Sequence, residues 1–235
     1  MVFHEASSRG VADHGWLNSH HTFSFANYYN PERMGFGVLR VINDDIVAPS
    51  MGFGTHPHNN MEIISIPLRG CLKHKDTMGN ETIISVGEVQ AMSAGTGIMH
   101  SEYNHSDSEE VNFLQIWIIP KSQNIKPSYS QKKFSKEQRQ NRLQLVVSPD
   151  GRGDSVQIHQ EAFFHLLDLE SGKSIQYERI NPDNGLYILN LEGEVNIGDK
   201  LLLKHDGLGI EDFSKLSISA NKSARLLLME VPMAS

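Results

Sequence analysis

One cysteine, Cys71, stands in 235 residues, so an intrachain disulfide and a thiolate zinc cage are both excluded. Its expected place is a small strand residue beside Gly70. Long apolar runs are missing as well: the longest, such as FLQIWII ending at Ile119, are far too short to cross a bilayer. The opening residues MVFHEASSRG carry no apolar h-region, so a cytoplasmic location without a membrane partner is expected. Positive charge is scarce. With 21 Lys and Arg against 28 Asp and Glu, the net charge is −7, which argues against direct nucleic-acid binding, because phosphate neutralisation needs clustered basic side chains. No long amphipathic helix can be read. The length suits one large or two small domains.

Histidine, by contrast, is plentiful, with 12 copies. His56-Pro57-His58 and His100-Ser101-Glu102 are two i, i+2 pairs of metal-binding side chains, each inside a strand-like segment. A strand sends residues i and i+2 out of one face, roughly 7 Å apart, so each pair can reach one ion. Pro57 has no N–H for a sheet ladder and places its pair at a strand entrance or edge. AGTGIM, a glycine-bearing turn, leads into the second pair, and the stretch follows Gly87 in SVGEVQAM, which reads as hairpin, strand, turn, strand. Three imidazoles and a carboxylate suit iron, nickel, copper, manganese or zinc, whereas calcium and magnesium prefer oxygen. A divalent ion with one carboxylate keeps a formal +1 and favours an anionic oxygen ligand. Tetrahedral zinc would be closed by four protein ligands; an octahedral ion would keep two open positions.

Other side chains have a plainer default. Phe53, Met61, Met92 and Met99 flank the ligand segments and can line an apolar pocket, though core packing is the ordinary role. Glu62, four residues after His58, is not taken as a ligand. His20 and His21 are adjacent and face opposite sides of a strand. His74 and His105 lie near turns, with surface or structural roles expected. The aromatics of HTFSFANYY are expected to pack against a barrel.

Short segments rich in Val, Ile, Leu and Phe are separated by turn signals such as INDD, TMGN, SPDGRGD and NPDNG, the spacing of an antiparallel sandwich or barrel. Between them, residues 121–142 are polar and carry seven basic residues against Glu137 alone, a local net of +6 that leaves −13 for the remainder. This segment reads as an interdomain linker with a short helix near Ser135 to Gln140, and its charge offers a surface for an acidic partner. An internal repeat aligns Leu68–Asp76 (LRGCLKHKD) with Leu191–Asp199 (LEGEVNIGD). Carried along, it sets His56 and His58 on Arg179 and Asn181, and His100 and Glu102 on Ala220 and Lys222. Two similar barrels follow, with ligands in the first only.

HPHNNMEIISIPLRG resembles the first cupin motif and GEVQAMSAGTGIMHSE the second. The chain more closely resembles the bacterial pirin-like proteins, through Arg9-Gly10, GWL at Gly15 to Leu17, HTFSFANYY at His21 to Tyr29, LRVINDD at Leu39 to Asp45, and LQIWIIP at Leu114 to Pro120. The resemblance covers nearly all of the first 120 residues. It implies an all-β bicupin, two stacked antiparallel β-barrels of jelly-roll type joined by a polar linker. The expected division is 1–120 for the metal-bearing barrel, 121–142 for the basic linker, and 143–235 for a barrel without ligands. The resemblance also implies one mononuclear site held by His56, His58, His100 and Glu102. The expected cofactor is a single divalent transition metal, iron(II) first, with nickel, manganese, copper, cobalt or zinc as the others. Members of the family resemble quercetinases, so the implied activity is a quercetin 2,3-dioxygenase, with a flavonol and dioxygen as substrates and Glu102 as the catalytic base. The alternative is a non-catalytic metal-binding regulator or stress-response protein acting through a protein partner. The paired-barrel relatives imply a monomer.

Overall fold

The computed structural model describes residues 1–233 and is built almost wholly of strands. The first half supplies β1 (Val2–His4), β2 (Gly10–Asp13), β3 (Leu17–His21), β4 (Leu39–Val47), β5 (Gly52–His58) and β6 (Glu62–Arg69). It continues with β7 (Cys71–Asp76), β8 (Glu81–Ser85), β9 (Glu88–Ser93), β10 (Ile98–Asn104), β11 (Val111–Ile118) and β12 (Ser128–Lys133). The second half supplies β13 (Gln144–Ser148), β14 (Val156–Gln157), β15 (Phe163–Leu169), β16 (Ser174–Glu178), β17 (Asn184–Ile197), β18 (Lys200–Leu202), β19 (Gly207–Ile210) and β20 (Lys215–Pro232). No helix among the described residues is long and apolar enough to cross a membrane.

Three sheets result: β5-β10-β7-β8, then β12-β9-β6-β11-β4-β3-β2, then β1-β19-β17-β20-β15-β13-β14 with β16 added to β20 and β18 to β17. The strand period decides how they stack. On β6 and β11, Ile64, Ile66, Leu114, Ile116 and Ile118 face one way and form a buried core with Leu227, Met229 and Val231 of β20, so the seven- and nine-stranded sheets pack back to back. The residues between them, including Ser65, Gln115 and Trp117, face the four-stranded sheet. Each core side chain contributes about 1.5–3 kcal/mol by leaving water, and the shared core ties the halves together. A separate apolar interior fills the second half. The all-β jelly-roll expectation holds, with sheets packed face to face in place of closed barrels.

The repeat extends to the pairing pattern. β10 pairs with β5 and β7, and β20 pairs with β16 and β17; β6 pairs with β9 as β17 pairs with β19. Each half also takes an outer strand from elsewhere in the chain. β12 pairs with β9 and β1 with β19, so the amino-terminal strand belongs to the second half's sheet.

Two expectations need revision. INDD is not a turn: Asn43, Asp44 and Asp45 sit inside the nine-residue β4 and are buried. Residues 121–142, expected as linker throughout, include β12, whose six residues all pair with β9, and a 3-10 turn at Lys136–Arg139. Arg139, one of the seven basic residues, is buried against Asp168 at 3.0 Å.

Candidate metal centre and its cavity

β5 lies at the edge of the four-stranded sheet, where Pro57 removes no interior ladder bond. Its partner β10 sets His100 opposite His56 and Ile98 opposite His58. Inward residues on β10 alternate cleanly with outward ones: Ile98, His100, Glu102 and Asn104 are buried while Met99 and Tyr103 are exposed. The register then slips. Glu102 faces Phe53, so Ser101 alone on β10 opposes Gly54 and Thr55 on β5, a bulge that re-aims the side chains around it.

His56, His58 and His100 converge with their donor nitrogens within 4.8 Å of one another. His56 Nε2 and His100 Nε2 stand 3.0 Å apart, the separation of two ligands on adjacent vertices of an ion with bonds of about 2.1 Å. His56 Nδ1 donates to the Gly54 carbonyl at 2.8 Å, which fixes its tautomer and leaves Nε2 with a free lone pair. Burial, reinforced by the neighbouring imidazoles, pushes His58 down to about 4 and His100 down to about 3. Both are therefore neutral at pH 7 and can donate to a cation. The buried Nδ1 of His100 has no partner. This donor set fits a divalent transition ion.

Glu102 does not complete the same cluster. It forms a second set with His100 and His74, again within 4.8 Å, and the four expected ligands do not fall in one set. Both of its oxygens are held: Oε1 accepts from Ser65 Oγ at 3.0 Å and Oε2 from Gln115 Nε2 at 2.6 Å. His74 is likewise not a surface residue. It is fully buried, its Nε2 donates to Asp76 Oδ2 at 3.0 Å, and its Nδ1 has no partner. The signal for it in the sequence was the alternation of KHKD, which turns His74 and Asp76 inward with Leu72.

His56 and Glu102 open onto a cavity of about 290 Å³ walled by Trp16, Phe25, Phe53 and Trp117, with Ser19, His21, Asn43, Asp45 and Gln115 among its polar groups. Trp16 meets Phe53 edge to face at 5.4 Å, and Trp117 meets His58 at 4.9 Å. Of the four flanking apolar residues, Phe53 alone lines this cavity; Met92 is core, Met61 packs on that core, and Met99 is exposed. His21 and Phe25, expected as packing residues, line it too. Glu62 points the other way, accepting from Ser93 Oγ at 2.6 Å and from the His159 backbone N–H at 3.2 Å. In the second half, Ala220 belongs to the apolar interior, Lys222 pairs with Glu194, and Arg179 stacks over Phe213.

Residues 3–118 match the Pirin family and residues 145–231 match the quercetinase C-terminal cupin domain. The chain is 45% identical over 233 residues to a quercetin 2,3-dioxygenase of Escherichia coli, covering 99% of both chains. It is 40% identical to a pirin-like protein of Caulobacter vibrioides, covering 94% of this chain and 95% of that one. Among solved structures, the E. coli bacterial pirin YhhW in complex with nickel(II) superposes with a TM-score of 0.93 at 43% identity, over 98% of each chain. Agreement at that level, across both halves and at nearly full length, makes this chain a member of the pirin family.

Proposed function

We propose that the protein is a metal-dependent dioxygenase of quercetinase type, opening a flavonol ring with dioxygen. The observation that carries this reading is the convergence of His56, His58 and His100 at the rim of an aromatic-walled cavity that also exposes Glu102. The quercetin 2,3-dioxygenase name of the E. coli relative supports it. His56, His58, His100 and Glu102 are the proposed ligands, iron(II) the first candidate ion, and only the half of the chain within residues 1–120 carries the site. Residues 121–142 join it to residues 143–235, which hold none. A bound divalent ion would supply a cationic centre for the substrate oxyanion and a place for dioxygen to be activated.

The remaining work falls to the protein's own groups. The aromatic walls exclude water and present flat faces to a flat ring system. Glu102 accepts the flavonol 3-hydroxyl proton on a carboxylate oxygen, a general-base step that is worth about 10²–10⁴ in rate. Ser65 and Gln115 keep that carboxylate aimed. Metal analysis followed by quercetin consumption with and without oxygen tests the reading, with carbon monoxide release as the product signal. Glu102→Gln is expected to lower kcat about a hundredfold or more while retaining most of the metal. A variant at full rate, or consumption that ignores oxygen, overturns the proposal.

A further inference from the structure

Between apolar clusters around Phe113 and around Ile63, the inner face of the seven-stranded sheet carries a row of polar side chains where a sandwich interior is ordinarily apolar. Cross-strand neighbours set His21 beside Asn43, Asn43 beside Gln115, and Gln115 beside Ser65, a row that ends on Glu102 through the hydrogen bonds of Gln115 and Ser65. One step along, Ser19 lies beside Asp45 and donates to its Oδ1. The Glu102 end of this row is satisfied. The other end is not: His21 Nδ1 and Asn43 Oδ1 are buried without partners. An unpaired buried polar group costs about 1–3 kcal/mol, and here two lie together on the wall of one cavity.

The geometry points to a hydroxyl-recognition subsite, formed by His21, Asn43 and Asp45, that binds ring hydroxyls of a polyhydroxylated aromatic substrate on the sheet facing His56. The inference rests on the flavonol reading of the cavity and adds to it the part of the substrate distant from the reacting ring. Two strand spacings, about 10 Å, separate His21 from Gln115, so His21 lies beyond hydrogen-bond reach of an oxygen held at Glu102 and needs a second group on the same molecule, with Asn43 one spacing nearer. The chemistry favours a neutral hydroxyl. No Lys or Arg lines the cavity among the described residues, so an anionic substituent would find no counter-charge. Asn43 Oδ1 accepts a hydrogen bond, and a neutral imidazole offers one donor and one acceptor. Burial, with the neighbouring imidazoles, keeps His21 below its ordinary value and hence neutral. Burial also pushes Asp45 up to about 7, so its carboxyl can donate or accept. A hydroxyl, which does both, pairs with all three.

The only two tryptophans, Trp16 and Trp117, both line the cavity, so intrinsic fluorescence reports its occupancy. Metal-loaded protein under argon is titrated with quercetin and with 3-hydroxyflavone, which keeps the 3-hydroxyl and ketone and lacks every other hydroxyl. Quercetin is expected to bind about tenfold or more tightly, the worth of one to two hydrogen bonds. Asn43→Leu and His21→Phe are each expected to weaken quercetin about tenfold and 3-hydroxyflavone less than about twofold. The comparison on the unaltered protein stands even if a variant fails to fold. Equal binding of the two compounds overturns the subsite and leaves the flavonol reading intact. Variants that weaken both compounds alike overturn it too, and quenching by neither compound overturns both proposals together.

Discussion

Gln115 shows how much a single side chain decides at this site. Its Nε2 donates to Glu102 Oε2 at 2.6 Å, while Ser65 Oγ stands 3.0 Å from Glu102 Oε1 and 3.1 Å from Gln115 Oε1. Gln115→Leu keeps the volume and removes both contacts, so Glu102 retains Ser65 alone. A hydrogen bond to a charged group contributes about 1.5–3 kcal/mol, and kcat is expected to fall about tenfold or more with metal content and KM little changed. An unchanged kcat would show that Glu102 needs no such aim. At this scale the sequence was legible in one place and opaque in another. His56, His58, His100 and Glu102 sit two apart on paired strands, so strand period alone brings them forward. His21, Asn43, Asp45 and Gln115 come from three strands distant in sequence. Polar residues that face a cavity inside a sandwich imitate a turn, which is why INDD misleads: Asn43 and Asp45 line a hollow, while Asp44, on the opposite face of the strand, is buried against Arg9 at 3.4 Å.

Among elements, the repeat predicts which residues are equivalent but not what each one tolerates. Gly70 joins β6 to β7, and its counterpart Gly193 lies in the bulged middle of β17, where the chain passes between the same two sheet positions without a break. Both adopt positive φ, 73° and 81°, a conformation that costs an L-residue about 1–2 kcal/mol. Their surroundings differ. A Cβ on Gly70 would meet Glu110 O at 3.1 Å, whereas one on Gly193 would meet Ser223 O at 2.1 Å and Ala224 Cα at 2.8 Å, all backbone atoms. Gly193→Ala is thus expected to destabilise the fold by more than about 3 kcal/mol, and Gly70→Ala by about 1–2 kcal/mol, compared by urea midpoints at constant slope. Equal costs would show that β20 yields at Ser223. The repeat itself was readable from Leu, Gly and Asp at matching places. β12 was not, because an edge strand with one polar face carries no apolar run, and Ser128–Lys133 spells its pairing only through β9. β1 escaped for a related reason: three residues pair with a strand some two hundred positions away, and no local pattern encodes that.

The whole molecule carries an acid sensitivity that follows from its buried imidazoles. Burial holds His4, His58 and His165 down to about 4 and His100 down to about 3, from an ordinary 6.5. In the unfolded chain each of these rings takes up its proton near pH 6.5; in the fold each resists until well below pH 5. The unfolded state therefore binds more protons across roughly pH 6.5 to 4, and stability falls as pH drops through that window. Asp45 acts in the opposite sense. Its folded carboxyl keeps a proton up to about 7 where the unfolded one releases it near 3.8, which favours the fold toward lower pH. Glu62, also raised by burial, acts with it, but His20, His21 and His205, lowered by burial, add to the four imidazoles on the other side. His165 isolates the effect, since it is buried, distant from the proposed ligands in sequence, and perturbed by desolvation alone. At pH 5 a ring shifted from 6.5 to about 4 withholds about 2 kcal/mol of stability, equivalent to about 4–8 °C of Tm for a chain of this size. Metal-free protein is expected to melt lower at pH 5 than at pH 7, and His165→Phe to shrink that difference by about 4–8 °C whatever it does to Tm at pH 7. The readout is a difference between two pH values within one variant, so a packing change that acts equally at both cancels. A gap between pH 7 and pH 5 that is the same in His165→Phe and the parent would mean that the ring gains its proton in the fold as readily as in the open chain, and that the interior where His165 meets the Tyr177 ring edge to face at 5.6 Å admits water.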